Sequence, residues 1–231
     1  MVTSKVFAPL ALCLALIPGL AGQAHAQDKI TVTGTGIVKY EPNMAVVEGA
    51  VYTEAKTVKE AQQANARIFN AAVDALKTKF RLTDKMLSTA GYSVSPLYDV
   101  RPNGQRVLRG YGVRHVLKVV VANLADLGSI VDEMGAAGVN QLDLIRFSHS
   151  EKKKLQLEAL ALAMADAKEK ADVIAASVGR SVQKVSNVSY HSSDSPEAVV
   201  RGEALAEKAD ATEFIPGELT ISASVSAEYV F

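Results

Sequence analysis

From Glu218 to Tyr229, polar and apolar residues alternate one for one. Leu219, Ile221, Ala223, Val225, Ala227, Tyr229 and Phe231 fall on one side; Glu218, Thr220, Ser222, Ser224, Ser226 and Glu228 fall on the other. A period of two is the signature of a strand with one buried and one solvated face. The ending Tyr229-Val230-Phe231 also matches the closing strand of an outer-membrane barrel, which finishes on an aromatic residue. A barrel needs at least about eight strands of about ten residues, and much of this chain has the helical period instead. The alternation therefore predicts an amphipathic strand of a sheet backed by helices.

A second stretch, Ile30 to Val47, is β-rich and carries Gly34 and Gly36 at Gly-x-Gly spacing. A dinucleotide-binding turn needs a third glycine three residues on and a helix starting at the turn. Position 39 is Lys, Pro42 follows soon after, and the next element is another strand. Nucleotide binding is excluded on that pattern, and the glycines are expected at a bulge or a close approach of the strand.

Met1 to Ala26 reads as a targeting segment. Lys5 precedes the apolar run Val6 to Leu20, and Ala24-His25-Ala26 has small residues at the two positions a signal peptidase reads. Cleavage is expected after Ala26. The run contains Pro9, Pro18 and Gly19 and is too short for a spanning helix. Cys13, the chain's one cysteine, has Leu12 before it where lipidation needs a small residue, and it leaves with the signal. The remaining 27–231 chain has 24 Lys+Arg against 25 Asp+Glu once Lys5 is subtracted from the 25 basic residues. That balance gives no reason to expect nucleic acid or an anionic membrane as a partner.

Between these ends the periodicity switches repeatedly. Strands are expected at Ile30 to Lys39 and Met44 to Thr53, followed by a helix over Thr57 to Phe80 with Ala61, Ile68, Ala72 and Leu76 inward. Tyr92 to Val100 and Arg106 to Ala122 flank Asn103-Gly104, a strong hairpin signal. A short helix over Ala125 to Ala137 is closed by Gly138, and Val139 to Ser148 reads as a strand. Ser150 is expected to cap a long helix whose apolar seam is Leu157, Leu160, Met164, Ala167, Ala171, Ile174 and Val178. Val182 to Tyr190 is a strand, and His191 to Glu213 reads as a mobile loop. The order β-β-α-β-β-α-β-α-β-β predicts an α+β fold, largely antiparallel, with three helices packed on the sheet or sheets. Residues 27 to 231 form one such domain, as a single body or as two lobes.

Chemical signals are sparse. His115 shares a strand face with Tyr111, Val113, Leu117 and Val119 and is expected to be half-buried and hydrogen-bonded. His149 sits at a strand-to-helix junction and His191 opens the loop; none has a second ligand at metal-binding spacing. No nucleophile elbow, phosphate loop or Cys-x-x-Cys is present. No catalytic, cofactor-binding or metal residue is assigned, and no cofactor is expected. The most suggestive cluster is Arg101, Arg106, Arg109, Arg114 and Lys118 with Tyr98 and Tyr111 around the hairpin. Arg106, Arg109 and Tyr111 are the expected contact in a homo-oligomer.

The chain resembles the SIMPL-domain family, and within it the bacterial periplasmic immunogenic proteins, which are outer-membrane-associated antigens. The resemblance runs from Ile30 to Phe231. It rests on "VTGTGIVKYEPNMA", "STAGYSVSPLYD" with "RGYG", "LGSIVDEMGAAGVNQLDLIRFS", "AMADAKEKADVIAASVGRSVQKV" and "PGELTISASVSAEYVF" in that order. Asn43 stands where an Asp usually follows the proline. The resemblance implies an exported α+β protein linked to envelope stress, including oxidative stress, with relatives that assemble into large homo-oligomers; the reading taken first is a non-enzymatic periplasmic protein that self-associates and supports the envelope. The resemblance supplies no catalytic residues to transfer. Two other readings stay open: a small-ligand-binding or weakly catalytic module with its pocket under the 191–213 loop, and a peripheral outer-membrane protein held by its last strand.

Overall fold

A computed structural model describes residues 28–193, 199–200 and 214–231. The expected signal segment and its cleavage site lie outside the described residues. In chain order the elements are β1 (Lys29–Tyr40), β2 (Met44–Ala55), α1 (Val58–Phe80), β3 (Leu87–Val100), β4 (Arg106–Val121), α2 (Leu127–Ala136), β5 (Gln141–Ser148), α3 (Lys152–Ser177), β6 (Lys184–Ser193), β7 (Val199–Val200) and β8 (Leu219–Val230). A 3-10 turn, Leu124–Asp126, leads into α2. The order is the expected one with the two-residue β7 added, and the fold is α+β.

Two antiparallel sheets result. One has the order β1-β8-β6, the other β3-β4-β2-β5-β7. α3 lies on β1 and β8, whereas α1 packs on β2 and β4 and against α2. The alternating C-terminal strand is the centre of the smaller sheet. Its Leu219, Ile221, Ala223, Val225, Ala227 and Tyr229 are buried. β1 pairs with it from Lys29↔Val230 to Tyr40↔Leu219 without a register shift.

That unbroken register removes the bulge as an explanation for Gly34 and Gly36. They mark a close approach, by a helix rather than a strand. A Cβ on Gly34 would lie 2.0 Å from the Ala163 carbonyl oxygen, and one on Gly36 2.0 Å from that of Ala159. The opposing face of α3 is made of Ala159, Ala163, Ala167, Ala171 and Ala175, every fourth residue and all fully buried. Small residues on both sides let helix and sheet meet nearly backbone to backbone.

This corrects the predicted seam. Leu157 and Val178 are 58% and 60% exposed, Ile174 is also exposed, and Leu160 and Met164 are only partly buried. The larger side chains follow the helical period equally well, but the glycines opposite leave room for nothing bigger than alanine. Ser150 is not the cap of α3 either; its hydroxyl accepts from Asn43 Nδ2 at 3.0 Å, and its N–H donates to Asn43 Oδ1 at 2.9 Å. Asn43 thereby ties the β1–β2 turn to the β5–α3 junction.

Other boundaries move for similar reasons. β3 begins five residues before Tyr92, because the Leu87-Ser-Thr-Ala-Gly stretch pairs with β4 around a bulge between Thr89 and Gly91. β6 runs through His191 to Ser193, pairing His191 with Ser224, and Val199–Val200 pairs with β5. The 191–213 segment is therefore not loop throughout, and the rest of that expectation, 194–198 and 201–213, lies outside the described residues. On α1, Asn65 and Phe69 are buried with Ala61, Ala72 and Leu76, whereas Ile68 is only partly so.

Candidate functional site

The β3–β4 hairpin exposes large apolar side chains next to charged groups. Its turn is closed by a Gly104 N–H to Arg101 C=O bond of 2.8 Å, with Gly104 at φ +77°. Only the glycine of the Asn-Gly pair uses the left-handed region; Asn103 accepts from the Gln105 N–H through Oδ1 at 3.1 Å. Tyr98, Val100 and Leu108 near the tip are 44%, 69% and 48% exposed.

The predicted basic cluster divides in the folded chain. Arg106 lies over the Tyr98 ring, 4.6 Å from its centroid, a cation–π contact that holds both side chains on the hairpin. Arg109 is the extra residue of a bulge: Leu97 pairs with Gly110 and Tyr98 with Leu108. Bulges re-aim side chains, and Arg109 reaches Glu54 Oε2 on β2 at 2.7 Å and Asp99 Oδ1 at 3.6 Å. Its carbonyl accepts from Lys56 Nζ at 3.2 Å. Tyr111 is half-buried opposite Pro96 and Ala55. Arg114 turns to β5, where Nε donates to Gln141 Oε1 at 3.0 Å and the guanidinium pairs with Asp143. Lys118 is in register with Glu48. The structure thus keeps Arg106 and Arg109 on the hairpin and sends Arg114 and Lys118 to the middle of the larger sheet.

A cleft of about 250 Å3 opens where the hairpin runs past the end of β2, lined by Glu54, Ala55, Lys56, Leu97, Arg109 and Gly110. Gly110 is required there, since a Cβ would stand 2.4 Å from the Ala55 carbonyl oxygen. Tyr52 caps the charged group by donating to Glu54 Oε1 at 3.0 Å, and burial raises its phenol pKa. The Arg-Gly-Tyr-Gly run is accounted for by this close packing of β4 on the end of β2. Glu54 pairs with Arg109, and Lys56 is tied to the Arg109 carbonyl, so the cleft is a braced recess.

The histidines are separate. His115 stacks on Phe69 with ring centroids 3.5 Å apart, meets the Tyr92 ring edge at 5.0 Å, and shares a 2.9 Å hydrogen bond between Nε2 and Thr89 Oγ1. It is half-buried and hydrogen-bonded, as its strand face predicted, and burial lowers its pKa. His149 packs edge-on against Tyr40 and accepts from the Glu151 N–H at 3.0 Å. Among the described residues, no three or more His, Cys, Asp or Glu side chains are grouped to hold a metal ion, and no helix is long and apolar enough to cross a membrane.

Sequence reasoning missed Asn65, the one buried polar residue among those described. Its Nδ2 donates to the Val51 carbonyl at 2.8 Å and the Val113 carbonyl at 3.3 Å, pinning α1 to β2 and β4. Its position, four residues after Ala61 on the inward stripe, was the available signal.

The profile of the SIMPL family, described as a protein of unknown function (DUF541), matches residues 30–229. The 26 kDa periplasmic immunogenic protein of Brucella melitensis biotype 1 is 33% identical over 181 residues, 76% of this chain and 72% of that protein. Its namesake from Brucella abortus strain S19 is similar to the same extent. The uncharacterized protein YggE of Escherichia coli K12 is 26% identical over 198 residues, 82% of this chain and 79% of its own. On the family match across most of its length, the chain belongs to the SIMPL family.

Proposed function

We propose that this chain is an exported periplasmic protein, not an enzyme, that self-associates and supports the cell envelope under stress, oxidative stress included. The observation that carries the association is the β3–β4 hairpin, whose Tyr98, Val100 and Leu108 stand exposed around the braced Arg106 and Arg109. Aromatic and arginine side chains held in place, with apolar neighbours, are the composition of protein contact surfaces. The exposed Leu157 and Val173 of α3, and Val178 just beyond its end, are further apolar side chains at the surface. Periplasmic residence is supported by the names of the Brucella relatives and by the secretory pattern of Met1 to Ala26. Contact with the outer membrane would be peripheral.

The test is the molar mass of the exported protein in solution, by size exclusion with light scattering. A discrete assembly is the expected result. A monomer at all concentrations removes self-association and directs attention to the 250 Å3 cleft and a ligand for it.

A further inference from the structure

The free edge of β1 is covered by side chains instead of a strand. Among the described residues β1 is an outer strand, with β8 on one side. From Ile30 to Val38 it has no charged residue, and Ile37 is exposed. Its terminal lysines are engaged within the sheet, Lys29 with Glu228 at 2.8 Å and Lys39 with Glu218 at 2.7 Å. Beside it α3 presents exposed Leu162, Val173 and Ile174, and a groove of about 380 Å3 runs along Asp166, Glu169, Lys170, Val173 and Ile174. An uncharged, β-prone edge next to apolar side chains is a template for strand addition.

The middle of that edge is nevertheless occupied. The Thr35 N–H donates to Asp166 Oδ2 at 2.7 Å, and Lys170 Nζ donates to the Thr33 carbonyl at 3.0 Å. Asp166 and Lys170 pair with each other at 2.8 Å, one helical turn apart. One acceptor and one donor therefore stand where the C=O and N–H of an added strand would stand. Lys170 and the Thr35 N–H hold the Asp166 carboxyl below its ordinary pKa. It can reach the edge because Gly34 and Gly36 bring the α3 backbone onto β1.

We propose that the Asp166–Lys170 pair is an edge guard, an autoinhibitory contact that prevents a second copy of this chain from adding a strand to β1. Association is then confined to the other edges and the hairpin. The guard is independent of the self-association reading, because it acts equally on a monomer.

The test compares wild type, D166A/K170A and K168A/D172A. The last removes an equivalent pair on α3, 2.6 Å apart, that has no bond to β1. Amide exchange at Thr35 is measured relative to the Val225 amide in the central strand at the lowest concentration of a dilution series, where no added strand re-protects it, and molar mass is followed as concentration rises. In D166A/K170A the Thr35 amide should exchange roughly tenfold faster or more, and the mass should rise with concentration beyond that of wild type. K168A/D172A should match wild type in both. Unchanged Thr35 exchange would overturn the guard, and so would faster exchange with no gain in mass. If the double variant does not fold, D166A and K170A singly carry the same comparison.

Discussion

The Cβ that Gly34 lacks would stand 2.0 Å from the carbonyl oxygen of Ala163. The atom it would strike belongs to helix backbone, which no rotamer change can move aside. Gly34→Ala is therefore expected to lose at least about 3 kcal/mol or to prevent folding, by forcing α3 off the sheet. Gly217→Ala, where nothing lies within 4 Å, should stay within about 0.5 kcal/mol of wild type. Urea denaturation of the two variants checks the contrast.

Asn65 is fully buried between α1 and the larger sheet, with both of its bonds made to strand carbonyls. Asn65→Ala should cost about 2 to 3 kcal/mol, because two buried acceptors lose their donor and a cavity opens. Asn65→Asp should be worse still, since it puts a carboxylate against those carbonyls. Thermal melts of the pair would show the order, and an aspartate variant as stable as wild type would contradict it.

His115 gives stability a pH dependence of known sign. Burial lowers its folded-state pKa below the ordinary 6.5, so over that window the unfolded chain binds more protons than the folded one. Stability should then fall as pH drops through about 6.5 and recover above it. His115→Gln should flatten the melting-temperature profile between pH 7.5 and 5.5. Asp166 and Glu228, whose pKa values are lowered by Lys170 and Lys29 respectively, act only at more acidic pH, through the usual carboxylate range and below.

Asn43 holds Ser150 through two reciprocal hydrogen bonds, at 3.0 and 2.9 Å. Asn43→Ala should cost about 1 to 2 kcal/mol. Asn43→Asp keeps the acceptor for the Ser150 N–H and can accept from its hydroxyl, so its cost should be smaller. Denaturant midpoints at constant slope would verify that order.

On the hairpin, Arg109→Glu places two carboxylates, Glu54 and Asp99, against a third. Arg106→Glu only removes a cation from the exposed Tyr98 ring. If the hairpin is the contact between copies, both substitutions shift the assembly size, and only Arg109→Glu also lowers the melting temperature. An unchanged molar mass in Arg106→Glu and Tyr98→Ala would remove the tip from the contact.

Much of this fold was legible because its signals are local. The two-residue alternation of Glu218–Tyr229, the Asn103-Gly104 turn and the inward stripe of Ala61, Ala72 and Leu76 depend on residues a few positions apart. Their periods and dihedral preferences are properties of the chain itself.

Tertiary structure decided what depends on the facing element. Whether α3 buries its leucines or its alanines cannot be read from its own spacing, because both sets recur at helical intervals. The glycines about 130 positions earlier settle it by leaving no volume for a larger side chain. Arg109 and Arg114 look alike in sequence, yet a bulge turns one to Glu54 and the pleat sends the other to Asp143. The occupation of the β1 edge by Asp166 and Lys170 belongs to this second class too, since it follows from the close approach of α3 to β1.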